Sequence, residues 1–408
     1  MRRLCMDTQQ TKSGSALVRQ ASSSPFDGST HRVRRANLQA ALQHVYREKV
    51  TSRASISRDT GLTRATVSDL IAQLVRSGLV REIGPGTSSG GKPPTLIGLN
   101  AGGRAIVAID LSRQPFRGAL LDLTGGIEQR IDGRRNAVRG DAGVEEVFRL
   151  VSTLVSSASA PVLGIGVGTP GIVDADGAVV EASNLAWHGV PLRRELALRT
   201  ELPVTVANDA HASALAEFET THASANLVVV KVGVGIGAGI VVDGRLHLGD
   251  RPAAGEIGHI RVVEPGLPCR CGNTGCLETV ASVPSIVRSA AANAGVDDDG
   301  GRPWDVRELS AAFGPEPVRD AIREAGRNVG AVLANVVAIL DIHRVVVSLE
   351  IDGGLDPFLD AIRTEVASRV LPDLAPVIEF SASESGPDLV ISGAAAMVLR
   401  HELGVMWR

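Results

Sequence analysis

Residues 225–244 read Ala225-Asn226-Leu227-Val228-Val229-Val230-Lys231-Val232-Gly233-Val234-Gly235-Ile236-Gly237-Ala238-Gly239-Ile240-Val241-Val242-Asp243-Gly244. A short apolar run, a glycine-rich turn and a second apolar run predict a hairpin of two buried strands. The same outline occurs earlier. Arg104-Ala105-Ile106-Val107-Ala108-Ile109-Asp110 is a buried-type strand, and Phe116-Arg117-Gly118-Ala119-Leu120-Leu121-Asp122-Leu123-Thr124-Gly125 returns beside it. Two strand–turn–strand units about 120 residues apart, each closing on Asp-Gly or Asp-x-x-Gly, predict an internal duplication. The body is therefore expected to be a two-lobed α/β structure spanning 101–408, its second lobe beginning near residue 206.

Downstream of the second hairpin, three of the chain's four cysteines fall in Cys269-Arg270-Cys271-Gly272-Asn273-Thr274-Gly275-Cys276. His259 precedes them in Gly255-Glu256-Ile257-Gly258-His259. Three thiolates and one imidazole complete a tetrahedral set for structural zinc, with no position left for water. Gly272 and Gly275 allow the tight backbone path such a site needs. Two carboxylates, Glu256 and Glu278, flank the segment.

Composition narrows the class. At 408 residues, with 44% hydrophobic and 21% charged content, the chain has the make-up of a globular protein of two or three domains. Three cysteines assigned to one site argue against a disulfide framework and for a reducing cytoplasm. No apolar run is long enough for a membrane span. Arg2 and Arg3 lack the apolar stretch of a secretory signal. The net charge of −3 conceals an asymmetry: residues 1–100 carry +9 and the remainder −12. A basic head on an acidic body suits a chain whose one end meets nucleic acid.

Within that head, residues 1–30 lack hydrophobic periodicity and are expected to form a disordered tail. Leu38, Leu42 and Val45 predict a helix over Arg34–Arg47. Ser52 caps a second, short helix, and Asp59-Thr60-Gly61-Leu62 makes a tight corner. Thr63 caps a third helix whose apolar face is Val67, Leu70, Ile71, Leu74 and Val75, stopped by Gly78. Strands at 79–82 and 95–99, joined by a loop at 84–93, complete a winged helix-turn-helix over 31–100. Arg53, Thr63, Arg64, Thr66, Ser68 and Gln73, with Lys92 in the wing, are the candidate DNA contacts, being types that reach base edges and phosphates.

Taken in order, Gly233 to Gly239, Gly249, Gly258-His259, Cys269, Cys271 and Cys276 resemble the ROK family (repressors, open reading frames and kinases). With a winged helix in front, the chain is similar to that family's transcriptional regulators over roughly residues 34–408. The resemblance implies an actin-like, ribonuclease H-like body. It also implies that Asn184, Asn208, Asp209, Glu256, His259 and Glu278 hydrogen-bond sugar hydroxyls, with His259 giving its other nitrogen to the metal. Trp187 is assigned to packing. In the family's kinases the Asp209 position is the general base; here it reads as a ligand contact.

The nucleotide elements depart from the kinase pattern. Asp110-Leu111-Ser112-Arg113-Gln114-Pro115 stands where kinases have Asp-x-Gly-Gly-Thr, whose glycines let backbone amides approach phosphate. Val234 replaces a threonine, and Val345-Val346-Val347-Ser348-Leu349-Glu350 replaces a glycine triplet. The expectation is a non-catalytic, sugar-responsive repressor of carbohydrate genes. Its partners would be a sugar or sugar-phosphate effector and a palindromic DNA operator, bound as a homodimer or tetramer, with Gly91-Lys92-Pro93 entering the minor groove. The alternative is an ATP-dependent sugar kinase that keeps a DNA-binding head.

Overall fold

The structure is a computed structural model that describes residues 28–87, 93–135, 138–220, 225–297 and 305–407. The head comprises α1 (Gly28–Glu48), β1 (Val50–Ser52), α2 (Arg53–Thr60), α3 (Arg64–Arg76), β2 (Val80–Pro85) and β3 (Thr95–Leu99). Ser52 Oγ accepts from the Ser55 amide at 3.2 Å, and Thr63 Oγ1 accepts from the Thr66 amide at 3.2 Å, so both expected caps form. Gly61 takes the left-handed corner at φ 71°.

Two expectations need correction. Helix α1 begins at Gly28 rather than Arg34, because its polar first turns carry no apolar stripe that a sequence pattern could register. The wing sheet has three strands in the order β1-β3-β2, since Val50–Ser52 pairs antiparallel with Leu96–Gly98. Of the tail expected over residues 1–30, residues 28–30 are the start of α1, while residues 1–27, like Lys92 at the wing tip, lie outside the described residues.

The first lobe runs β4 (Ala105–Asp110), β5 (Arg117–Leu121), β6 (Ile127–Asp132), α4 (Gly140–Ser157), β7 (Val162–Thr169), β8 (Ile172–Val173), β9 (Val179–Ala182), β10 (Trp187–Val190), α5 (Leu192–Thr200) and β11 (Val204–Asn208). Helix α6 (Asp209–Thr220) leads to the second lobe: β12 (Leu227–Val232), β13 (Ile236–Val242), β14 (Arg245–Leu246), α7 (Glu278–Ala281), α8 (Val283–Ala294), α9 (Val306–Phe313), α10 (Pro315–Leu340), β15 (Arg344–Leu349), α11 (Leu355–Arg369) and β16 (Glu379–Ala382). Helix α12 (Leu389–Glu402) closes the chain.

The duplication is visible in the sheets. One five-stranded sheet has the order β11-β7-β4-β5-β6 and the other β16-β15-β12-β13-β14. In each, a central strand pairs antiparallel with its hairpin partner on one side and parallel with a crossover strand on the other. Strand β11 belongs to the first sheet, so that sheet runs to Asn208, past the boundary expected near 206. Helix α12 returns from the end of the chain to pack on β4, β7 and α6, which makes the first lobe discontinuous in sequence.

Head and body share one apolar core. Leu42, Val45 and Tyr46 of α1 belong to the same buried cluster as Leu121 and Leu123 of the first lobe, Leu215 of α6 and Val398 of α12. Polar contacts seal the seam. Tyr46 Oη and Trp407 Nε1 both donate to the Leu123 carbonyl, at 3.1 and 3.2 Å. Arg104 Nη2 donates to the Ser77 carbonyl at 3.0 Å. Among the described residues no helix is long and apolar enough to cross a membrane.

Candidate functional site

The cleft between the lobes, of about 530 Å³, is lined by all six residues assigned to sugar recognition. They arrive from four places in the fold. Asn184 sits in the β9–β10 turn, and Asn208 and Asp209 lie where β11 passes into α6. Glu256 and His259 belong to the single turn of 3₁₀ helix at Ile257–His259, and Glu278 opens α7. Parallel strands bring their C-terminal ends to the cleft, as open α/β sheets do.

These residues are not equivalent. Asn208 is committed to the fold: its Nδ2 donates to the Gly171 carbonyl at 2.9 Å, and its Oδ1 caps α6 by accepting from the Ala210 and His211 amides at 2.8 and 3.1 Å. Glu256 faces the cavity, and burial, then the charges of Asp209 and Glu278, push its carboxyl up to about 7. Burial likewise raises Glu278, whose Oε2 accepts from the Ile236 amide at 3.4 Å. Trp187 is fully buried and its Nε1 donates to the Gly140 carbonyl at 2.9 Å, a packing role.

Behind Asp209 lies a group of charges of which only Asp110 and Asp209 stood out in the sequence reading. Lys231 Nζ is 3.3 Å from Asp209 Oδ2 and 2.9 Å from Glu350 Oε1. Arg113, from the β4–β5 loop of the first lobe, places Nε 3.6 Å from Glu350 Oε1, at the end of β15 in the second. The same Nε is 3.9 Å from Asp110 Oδ2, while Asp110 Oδ1 accepts from the amide and the hydroxyl of Ser112 at 2.8 and 2.6 Å. Burial opposes the Lys231 charge, but Glu350, Asp209 and Asp110 outweigh it and hold the ammonium protonated. Burial raises the Asp110 carboxyl. A lysine at the end of an otherwise apolar strand was the one sequence signal for this network.

On the other wall His259, Cys269, Cys271 and Cys276 place one donor atom each within 4.8 Å of the others. Cys271 Sγ and Cys276 Sγ are 3.8 Å apart, and Cys269 Sγ is 3.6 Å from His259 Nδ1. A tetrahedral ion with metal–sulfur bonds of about 2.3 Å has ligand separations of about 3.8 Å, so the set fits a four-coordinate metal. The loop is pinned by pairing of Arg261 with Cys276 and of Pro268 with Thr274. Gly272 and Gly275 take φ of 92° and 69°, the conformations expected of them. His259 turns Nδ1 to the thiols and Nε2 to the cleft, 3.8 Å from Glu256 Oε2.

In the head, Thr63, Arg64 and Ser68 are exposed along the start of α3. Arg64 has no side-chain partner among the described residues. The other assigned contacts are engaged internally. Thr66 Oγ1 is 2.9 Å from Thr63 Oγ1 within the cap, and Ser68 Oγ donates to the Arg64 carbonyl at 2.9 Å. Gln73 Oε1 accepts from Arg34 Nη2 at 3.2 Å. Arg53 pairs with Glu82 of the wing at 2.7 Å, which ties α2 to β2.

A winged helix fused to a duplicated, sugar-kinase-like body that carries a His–Cys cluster beside its cleft defines a class of two-part protein. The chain belongs to the ROK family, whose profile matches residues 106–401. It is 32% identical over 390 residues to the xylose repressor of Caldicellulosiruptor bescii, covering 91% of this chain and 97% of that protein. Its fold is similar to that of a ROK family transcriptional regulator described as a homologue of the Escherichia coli MLC protein, with TM-score 0.75, 25% identity and coverage of 91% and 96% of the two chains. It is also similar to a ROK family glucokinase from Streptomyces griseus in complex with glucose and AMPPNP, with TM-score 0.63, 26% identity and coverage of 72% and 98%. The regulator likeness includes the head, whereas the kinase likeness spans a share of the chain close to that of the body alone.

Proposed function

We propose that this chain is a sugar-responsive transcriptional repressor whose effector is an unphosphorylated pentose or hexose such as D-xylose, and whose head binds operator DNA through α3 and the wing. The observation that supports this reading is the shared core: α6, which opens at Asp209 in the sugar cleft, is buried through Ala212 and Leu215 in the same apolar cluster as Leu42, Val45 and Tyr46 of the head. The names of the relatives favour the repressor sense, in which sugar releases DNA.

The buried charges give the reason for assigning no phosphoryl transfer. In the resemblance, Asp110 and Arg113 stand in the segment where a kinase would admit nucleotide phosphates, and Glu350 closes the segment where it would admit the adenosine. Here Arg113 and Glu350 face each other across the lobes, and Lys231 is paired with Asp209 and Glu350. A phosphate entering this network would meet three carboxylates and displace existing ion pairs, with a large desolvation cost already committed. Asp209 is then a ligand acceptor and not a general base.

His259, Cys269, Cys271 and Cys276 would hold Zn²⁺, which supplies a fixed cross-link and no reaction chemistry. Its effect is to set Glu256, His259 and Glu278 in register along one wall. A dimer would set two α3 helices in successive major grooves of a palindromic site, about 34 Å apart.

Coupling between the sites is carried by α6. The helix starts at Asp209 in the cleft and, about 15 Å along, reaches Glu219, whose Oε2 accepts from the Trp407 amide at 3.1 Å. The adjoining Met406 is held by Gln43 of α1. A differential free energy of about 1–3 kcal/mol through this route changes DNA affinity about 5–150-fold. Measuring operator binding with and without D-xylose tests the proposal.

A further inference from the structure

Arg270 lies between Cys269 and Cys271 on the metal loop of the second lobe, and its Nη1 donates to Asn184 Oδ1 of the first lobe at 2.5 Å. The contact crosses the mouth of the cleft between segments 86 residues apart. A guanidinium has donors only, so it is satisfied by the amide oxygen and by nothing else on Asn184. With Oδ1 taken, Asn184 turns its Nδ2 group inward.

The surroundings show where that group points. At Gly235, in the β12–β13 turn, an added Cβ would lie 3.2 Å from Asn184 Nδ2 and 2.7 Å from Glu278 Oε2. The amide donor and the carboxylate acceptor therefore meet over a bare glycine, with no side chain between them. A donor and an acceptor so placed match two neighbouring hydroxyls, one oxygen accepting from Nδ2 and the adjacent O–H donating to Glu278.

We infer that Arg270 is a positioning residue for the effector, which fixes the Asn184 amide so that Asn184 and Glu278 together read a vicinal diol. The inference rests on the sugar-sensing reading and adds to it a residue outside the resemblance. It also makes the metal loop an active wall of the pocket, since the loop sets the path of Arg270. Arg270 is exposed and bonds no metal ligand, so its side chain can be removed without opening the core.

The test is calorimetric titration of D-xylose and D-glucose into the full-length, zinc-loaded chain and its R270A, R270K, N184A and R270A/N184A variants. Metal content and melting temperature are measured for each. The expected result is about tenfold weaker binding by R270A, partial recovery in R270K, and a double variant close to N184A, because the hydrogen bond of Arg270 to that amide is its main route to the effector. R270A binding at the wild-type level, or losses that multiply in the double variant, overturns the inference alone. A fall in zinc content or melting temperature in R270A also overturns it, by making the contact a support of the loop. Failure of the wild-type chain to bind either sugar overturns the sugar-sensing reading and this inference with it.

Discussion

Gln43 of the DNA-binding head grips Met406 at the end of the chain by both halves of its amide, donating from Nε2 to the Met406 carbonyl at 3.2 Å and accepting from the Met406 amide at 2.8 Å. The two residues are 363 positions apart, and Trp407, next to Met406, bonds both Leu123 and Glu219. The head is thereby joined to the helix that begins at the sugar cleft. Q43A removes both bonds, a loss of about 1–3 kcal/mol at the seam. Sugar binding is expected to persist in this variant, while the ratio of operator affinities without and with D-xylose falls toward one. Fluorescence anisotropy with labelled duplex measures that ratio.

Arg64 and Arg53 were equivalent candidates for DNA contact, and the structure separates them. Arg64 is exposed on α3 with no side-chain partner among the described residues, whereas Arg53 is paired with Glu82. R64A is expected to weaken operator binding about tenfold, within the usual 1–3 kcal/mol of a base or phosphate contact, with the melting temperature unchanged. R53A is expected to act on the docking of the wing and to leave the salt slope of binding unchanged. Titrations at several salt concentrations, run beside thermal melts, distinguish the two.

Cys276 is fully buried within the metal set. Ligand binding to the folded state alone stabilises it by mass action, and structural zinc is a strong case of this. C276S is expected to lose metal, shown by elemental analysis, and to melt at least several degrees lower. Since Glu256 and Glu278 flank the same loop, it is also expected to lose sugar affinity.

Glu146 tests the first lobe's acid stability. Burial opposes its charge, but bonds from Arg149 and Arg134 prevail and hold the carboxyl down at about 2, against an ordinary 4.5. A depressed carboxyl stabilises the fold fully above its unfolded value. That contribution is lost as pH falls from about 4.5 toward 2. E146Q is expected to destabilise the chain by roughly 1–3 kcal/mol at neutral pH, with the difference from wild type shrinking through that acid window in denaturant melts.

The parts legible in the sequence were those written in local chemistry. Ser52, Gly61 and Thr63 set helix ends through contacts a few residues away, and the paired hairpins disclosed the duplication because each is contiguous. The cysteine cluster was legible for the same reason. What was not legible depends on distance along the chain. Helix α12 packs into the first lobe from its far end, and Met406 reaches α1, with no local mark of either. Asn208 was assigned to ligand, yet its amide is spent on Gly171 and the start of α6, which only the fold could reveal. Strand β1 is three residues long, too short for alternation to register. Lys231, Arg113 and Glu350 come from three separate segments, and their mutual pairing appears only once the sheets are assembled.

Sugar in the cleft and DNA on the head can be followed together in one titration. An operator duplex, selected by the full-length, zinc-loaded protein from a random library, is held with it in a fluorescence anisotropy cell while D-xylose or D-glucose is added. One of these sugars is expected to release the duplex, with an affinity change of about 5–150-fold. An operator affinity unmoved by either sugar at saturation, in a protein that calorimetry shows to bind that sugar, would contradict it.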